Sequence, residues 1–218
     1  MCGRVRDPSI EEVSQLKLNP FRGRQWREKL HSEWRPGSDV PVLVLADGAR
    51  EIERMRWGLV PAWSKSDLLE YSTYNARSEG IHETPTYRGA WRKGQRCLFP
   101  AEGFYEKKHF FSLRDAKLMT FAGLWDEWRS PITGEIVRSC TIITTEPNEL
   151  VGRVHNRMPV IIAAKDHGKW LGEEPAAEDE LRALLKPYPA DLMTVSPSLG
   201  IVARPTPDSP RESQLPLL

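Results

Sequence analysis

The clearest hydrophobic pattern lies between residues 40 and 57. Val40-Pro41-Val42-Leu43-Val44-Leu45 is a short apolar run rich in β-branched residues, which predicts a strand. Asp47-Gly48 supplies the residue pair favoured in a two-residue hairpin turn, and Glu51 to Trp57 then predicts the returning strand. Arg96 to Tyr105, Leu118 to Trp125 and Arg138 to Thr145 read as further strands, with a last one near Leu192–Val195. Helical signals sit nearer the ends. Residues 9–18 look amphipathic, with Ser9 as cap and Glu12 completing a capping box. Pro147 opens a short helix to about Val154, and two more are expected over Ala164–Leu171 and Ala176–Lys186. Strands in the middle and helices outside them, without βαβ alternation, predict an α+β fold: a mostly antiparallel sheet or small barrel-like core flanked by short helices, in a single domain over residues 1–204. The Pro/Ser-rich stretch 205–218 is expected to be a disordered tail.

Composition changes this picture little. A chain of 218 residues, 39% hydrophobic and 28% charged, suits one globular domain. No apolar run is long enough for a membrane span, and the start lacks the apolar core of a signal peptide, so a cytoplasmic protein is expected, nucleoid-associated when bound to DNA. Cys2, Cys97 and Cys140 are odd in number and widely spaced, and the five histidines show no ligand spacing. Neither a disulfide framework nor a metal site is therefore expected. No Walker A, G-x-G-x-x-G or repeat is present, so no cofactor is expected. The net charge of +1 hides an asymmetry: residues 1–108 carry a net of +4 and residues 109–218 a net of −3. Of the 31 basic residues, 21 are arginine, the side chain best matched to phosphate.

The residue that carries chemistry is Cys2. A small residue after the initiator lets Met1 be removed, leaving an α-amine and a thiol on adjacent carbons. An α-amine titrates at about 7.7–8.0 against about 10.4 for lysine, so near neutral pH on the order of a tenth of it is nucleophilic. Such an amine condenses with an aldehyde to a Schiff base. The tethered thiol can then close on the same carbon to give a thiazolidine. A ring-opened abasic deoxyribose is such an aldehyde.

Other blocks narrow the reading. Met1-Cys2-Gly3-Arg4, Arg56-Trp57-Gly58-Leu59-Val60-Pro61-Ala62-Trp63 and Tyr74-Asn75-Ala76-Arg77-Ser78-Glu79 come first, followed by residues 96–106, Ala122-Gly123-Leu124-Trp125 and His155-Asn156-Arg157-Met158-Pro159-Val160. In this order and spacing they resemble the SOS response-associated peptidase family, over about residues 1–165. The resemblance implies a DNA-damage protein that crosslinks to abasic sites in single-stranded DNA through Cys2. It also implies a peptidase-like autocatalytic removal of Met1 and a lyase-type activity. By the same resemblance Asn75 orients the N-terminal residue and the opened sugar, Glu106 is the general acid/base, and His155 assists Schiff-base chemistry or holds a phosphate. Arg4, Arg77 and Arg157, with Arg88 further off, are candidate phosphate contacts, and Trp63 a platform for an unstacked base. The expected partner is single-stranded DNA with abasic sites, met by a monomer without metal, cofactor or membrane.

Taken alone, each residue has a plainer reading. Asn75 could cap a turn, Glu106 pair with Lys107 or Lys108, His155 sit at a helix end, and Trp63 fill a core. The chain also departs from the family pattern at Glu33-Trp34-Arg35-Pro36, at Lys107 and beyond Leu192. Three other functions fit parts of the sequence, one of them a conventional cysteine peptidase acting on other proteins through Cys2 and His155. An N-terminal-nucleophile glutamine amidotransferase can also begin Met-Cys-Gly, but its arginine and asparagine-glycine signatures are missing here. A non-enzymatic single-stranded DNA-binding module would leave Cys2 inert.

Overall fold

The computed structural model describes residues 3–9, 13, 16 and 33–198. Met1, Cys2, most of the helix expected over residues 9–18 and the tail from 205 lie outside the described residues. Of that helix, the bond from Val13 N to Ser9 O at 3.1 Å is described.

In chain order the elements are β1 (Val5–Arg6), β2 (Glu33–Trp34), β3 (Asp39–Ala46), β4 (Ala49–Trp57), β5 (Asn75–Arg77), α1 (Pro85–Arg92), β6 (Arg96–Ala101) and β7 (Gly103–Glu106). They continue as β8 (His109–Leu113), β9 (Met119–Arg129), β10 (Ile136–Thr145), α2 (Glu149–Gly152), β11 (Met158–Pro159), α3 (His167–Leu171), α4 (Glu178–Ala183) and β12 (Met193–Pro197). One sheet runs β10-β4-β3-β6-β9, and β9 pairs back onto β10, so these strands close into a small barrel. β5 and β11 attach to it through β10. The second sheet has five strands in the order β12-β8-β7-β1-β2. Pairing is antiparallel except where β10 runs parallel to β4 and β5. The expected α+β fold with a barrel-like core is the one observed.

Several elements differ from expectation for identifiable reasons. The strand expected over Arg96 to Tyr105 is two strands in two sheets. At Gly103 a Cβ would run into Phe111 O and the Phe110 ring, so glycine permits the close approach that lets the chain pass from barrel to second sheet. The expected Asp47-Gly48 turn is present, with φ of 51° and 75°. By contrast, the β7–β8 turn puts Lys107 at φ 52° with no glycine to announce it, and β8 was not legible. β5 is three polar-flanked residues whose strand character comes from pairing with β10. The helix α1 does carry a signal, Pro85 at its first turn.

Alternating faces of the barrel strands feed two apolar clusters. Cys97, Phe99 and Ala101 of β6 join Trp57, Cys140 and Ile142 in a layer shared with Val5, Phe104, Phe111 and Met193 of the second sheet. Leu98, between them in sequence, belongs to the other cluster, where Leu43 and Ile143 pack with Tyr87 and Trp91 of α1, Trp170 of α3 and Leu181 of α4. Phe104 stacks on Phe111 with centroids 5.1 Å apart and meets Phe121 of the barrel edge-on at 6.0 Å, which fixes one sheet against the other.

Candidate active site

The two-residue strand β1 is too short to hold itself by backbone bonds, and its side chains secure it. Arg4 donates to both carboxylate oxygens of Glu33, each at 2.6 Å, and its guanidinium lies 4.1 Å above the Tyr105 ring. Arg6 donates from Nε to Tyr105 Oη at 2.8 Å and lies 4.0 Å above the Phe110 ring. The Arg4 bonds hold the Glu33 carboxyl below its ordinary range. On the opposite face Val5 is buried with Phe104.

This anchoring matters because of register. Val5 pairs with Phe104, and Tyr105 N donates to Arg4 O at 2.9 Å. Continued one residue, the register sets Gly3 opposite Glu106, at the end of β7. Glu106 is half-buried and pairs across the hairpin with His109, on the face that carries Phe104 and Phe111 inward. Cys2 lies outside the described residues; its neighbour in sequence is thus delivered to the strand position facing Glu106.

A second group assembles around β10. Asn75, Ala76 and Arg77 lie alongside Ile142, Ile143 and Thr144 in parallel register. The chain after α2 returns to the same end of β10, where Thr144 pairs with Pro159 and Thr145 with Met158. His155 N donates to Val151 O at 3.0 Å, ending α2, and Arg157 N donates to His155 Nδ1 at 3.0 Å. The Arg157 guanidinium is bidentate to Glu79, at 2.5 and 2.9 Å, and donates to Thr144 O at 2.6 Å. The segments that carry Asn75 and His155 therefore both attach to the C-terminal half of β10. Their neighbours Tyr74 and Val154 pack against the same apolar cluster that holds Val5 and Phe104.

The remaining predicted residues lie on an adjoining surface. Tyr87 of α1 donates from its hydroxyl to Asn75 O at 3.1 Å, joining α1 to β5. Trp63 is 60% exposed, and its indole N–H donates to Pro85 O at 3.1 Å, at the start of α1. Arg88, one turn along that helix, and Arg77 are both exposed. The loop carrying Trp63 is held from below: Asp126, buried on β9, accepts from Ala62 N at 2.9 Å, and Trp128 Nε1 donates to Ser64 O at 2.8 Å. Of the five predicted DNA contacts, Arg77, Arg88 and Trp63 face outward, whereas Arg4 and Arg157 are engaged with Glu33 and Glu79. Sequence reasoning did not single out Glu33, Glu79 or Asp126 as partners. For Glu79 a signal existed, since it ends the Asn75–Glu79 block. Among the described residues no group of three His, Cys, Asp or Glu side chains could hold a metal ion.

The sequence profile of the family described as SOS response associated peptidase (SRAP) matches residues 1–203. The chain belongs to this family. It is 35% identical over 227 residues to a protein named abasic site processing protein YoqW from Bacillus subtilis, covering 96% of this chain and 97% of that one. It is 36% identical over 222 residues to YoaM of the same organism, an abasic site processing protein by name, with 94% of each covered. The abasic site processing protein HMCES of Gallus gallus is 31% identical over 237 residues, which cover 86% of this chain and 70% of that one. Among solved structures, a protein from Bordetella bronchiseptica superposes with a TM-score of 0.78 at 27% identity, covering 90% of this chain and 99% of that one. A Bacteroides thetaiotaomicron protein gives the same TM-score at 25% identity, covering 89% and 90%.

Proposed function

We propose that the protein processes abasic sites in DNA by forming a covalent bond to them through Cys2 once Met1 is removed. The relatives named abasic site processing protein, matched over nearly the whole chain, support the lesion as substrate. The observation that supports the chemistry is the β1–β7 register, which continued through Arg4 sets Gly3, the residue after Cys2, opposite Glu106.

In this reading the free α-amine of Cys2 adds to the C1′ aldehyde of the ring-opened sugar, giving a carbinolamine. Loss of water yields the imine, and the leaving hydroxyl takes a proton from Glu106. The Cys2 sulfur then adds to the imine carbon, the nitrogen recovers a proton, and a five-membered thiazolidine results. Both nucleophiles ride on one residue, so closure needs no second encounter. Asn75 orients the opened sugar, and His155 presents its ring beside it. Arg77, Arg88 and Trp63 form the outward surface for the strand, two cations for phosphates and one ring for an unstacked base. A phosphate reaching Arg4 or Arg157 must compete with Glu33 or Glu79. Removal of Met1 by Cys2 itself belongs to the same proposal: the thiol adds to the Met1 carbonyl, the Met1–Cys2 C–N bond breaks as the α-amine takes a proton, and water hydrolyses the resulting thioester to release methionine and the thiol. Single-stranded DNA as the preferred partner of a monomer belongs to it as well.

The test is a crosslinking assay with protein whose Met1 loss is confirmed by mass spectrometry. Mixed with a single-stranded oligonucleotide carrying one abasic site, it is expected to give a shifted band on denaturing electrophoresis. The band should be absent with Cys2→Ala and with an undamaged oligonucleotide. A processed protein that yields no adduct with the lesion overturns the proposal.

A further inference from the structure

Glu79 stands outside the residues given a role above, yet it is the acidic partner of Arg157, a side chain that ties the His155 segment to the turn after β5. It follows β5 directly, in the short turn Ser78–Gly80, and grips Arg157 through both oxygens. An exposed ion pair of this kind ordinarily contributes little. Here the Arg157 side chain is only 12% exposed and spends a third bond on Thr144 O, so its guanidinium is locked in place, with Glu79 as the counter-charge that permits its burial. The Arg157 bond in turn holds the Glu79 carboxyl below its ordinary range.

The lock reaches His155 through the backbone. Arg157 N donates to His155 Nδ1 at 3.0 Å, a shorter approach than the 3.3 Å between Nδ1 and Arg157 O. A ring nitrogen that accepts a hydrogen bond carries no proton, so the neutral imidazole bears its proton on Nε2. We propose that Glu79 is a positioning residue: by fixing Arg157 it orients the Arg157 amide toward Nδ1, and so keeps His155 in the tautomer that offers Nε2–H to an oxygen of the lesion. This rests on the abasic-site reading above, and deepens it by explaining what selects the His155 donor. A partner that fixes an imidazole tautomer without touching substrate is an established route to rate enhancement in other enzymes.

The experiment compares the full-length protein with Glu79→Gln and Arg157→Lys variants, each checked for an unchanged fold by circular dichroism and thermal melting. Long-range 1H–15N correlation of the histidine rings, with His155→Asn to assign the signal, reads the tautomer. Single-turnover crosslinking at saturating abasic oligonucleotide reads the chemical step, and binding of an undamaged oligonucleotide reads affinity. In the wild type His155 is expected as the Nε2–H form. In both variants the Nδ1–H form should gain population and the saturating rate fall about tenfold, with undamaged-DNA affinity changed less than twofold in Glu79→Gln. An unchanged His155 tautomer and unchanged saturating rate in folded Glu79→Gln overturn the proposal, as does an effect confined to DNA affinity, which would make Glu79 a competitor of phosphate for Arg157. If the wild type forms no adduct, the abasic-site reading fails separately, and the ring signals still decide whether Glu79 sets the tautomer.

Discussion

Asp126 carries a carboxylate with only 4% of the residue exposed, and it lies beneath the loop that presents Trp63. It accepts from Ala62 N at 2.9 Å and from Glu127 N at 3.0 Å, and Lys93 Nζ lies 3.8 Å away. Hydrogen bonds to a charged group contribute about 1.5–3 kcal/mol each way of counting, so Asp126→Ala is expected to lower unfolding stability by about 2 kcal/mol in urea titration. The same variant should weaken single-stranded DNA binding by freeing the Trp63 loop, measured by fluorescence anisotropy. His167 gives a pH prediction at the same scale. Burial lowers its pKa below the ordinary 6.5, and the charge of Arg50 adds to the effect. The unfolded chain therefore takes up this proton more readily than the folded one. The contribution of His167 is complete above pH 6.5 and is lost as pH falls through the lower folded value. His167→Gln, which can keep the bond to Thr120 Oγ1 (2.8 Å from Nε2), should flatten the decline of the urea midpoint between pH 7 and 5, and an equally steep decline would refute the assignment.

At the scale of elements, the barrel closes because β9 pairs with both β6 and β10, and Gly123 sits at that junction between Cys97 and Ile142. A Cβ there would stand 2.5 Å from the Phe99 ring, 2.7 Å from Thr141 O and 2.9 Å from Cys97 Sγ. None of these can move freely inside a closed sheet, so Gly123→Ala should destabilise the protein by about 1–3 kcal/mol, read as a lowered denaturant midpoint. A neutral effect would mean that the β6–β9–β10 junction is looser than the packing implies. The hydrophobic pattern located β3, β4, β9 and β10 well, since each combines apolar runs with a recognisable turn or length. It could not locate β5, whose three residues form a strand only because β10 offers them backbone partners. Nor could it see that residues 96–106 serve two sheets, because the break depends on the close approach of Phe111 to Gly103.

For the whole molecule, a net charge of +1 leaves DNA affinity to the placement of charge rather than its sum. Arg77 and Arg88 face outward near Trp63, whereas Arg4 and Arg157 are held by carboxylates. If Arg77 contacts a phosphate as proposed, Arg77→Ala should reduce the slope of log K against log salt for single-stranded DNA by about 0.7. Trp63→Ala should weaken binding by about 1–3 kcal/mol while leaving that slope unchanged, because a stacked base releases no counterion. If both variants changed slope and affinity alike, the division of this surface into phosphate and base contacts would be wrong.

The sequence by itself determined the fold class, the two turn-linked central strands and the family, because these rest on local periodicity and on residues whose order along the chain is their signature. It also singled out Asn75, Glu106 and His155, although as separate motifs with plausible structural alternatives. Tertiary structure decided where their segments attach. β10 gathers the Asn75 and His155 segments, and β1 lies along β7 in a register that sets Gly3 opposite Glu106. Structure also decided which arginines are spoken for, since Arg4 finds Glu33 at a separation of 29 residues and Arg157 finds Glu79 at 78. Contacts of that span depend on the closure of the barrel and the docking of the second sheet, and no periodicity along the chain encodes them.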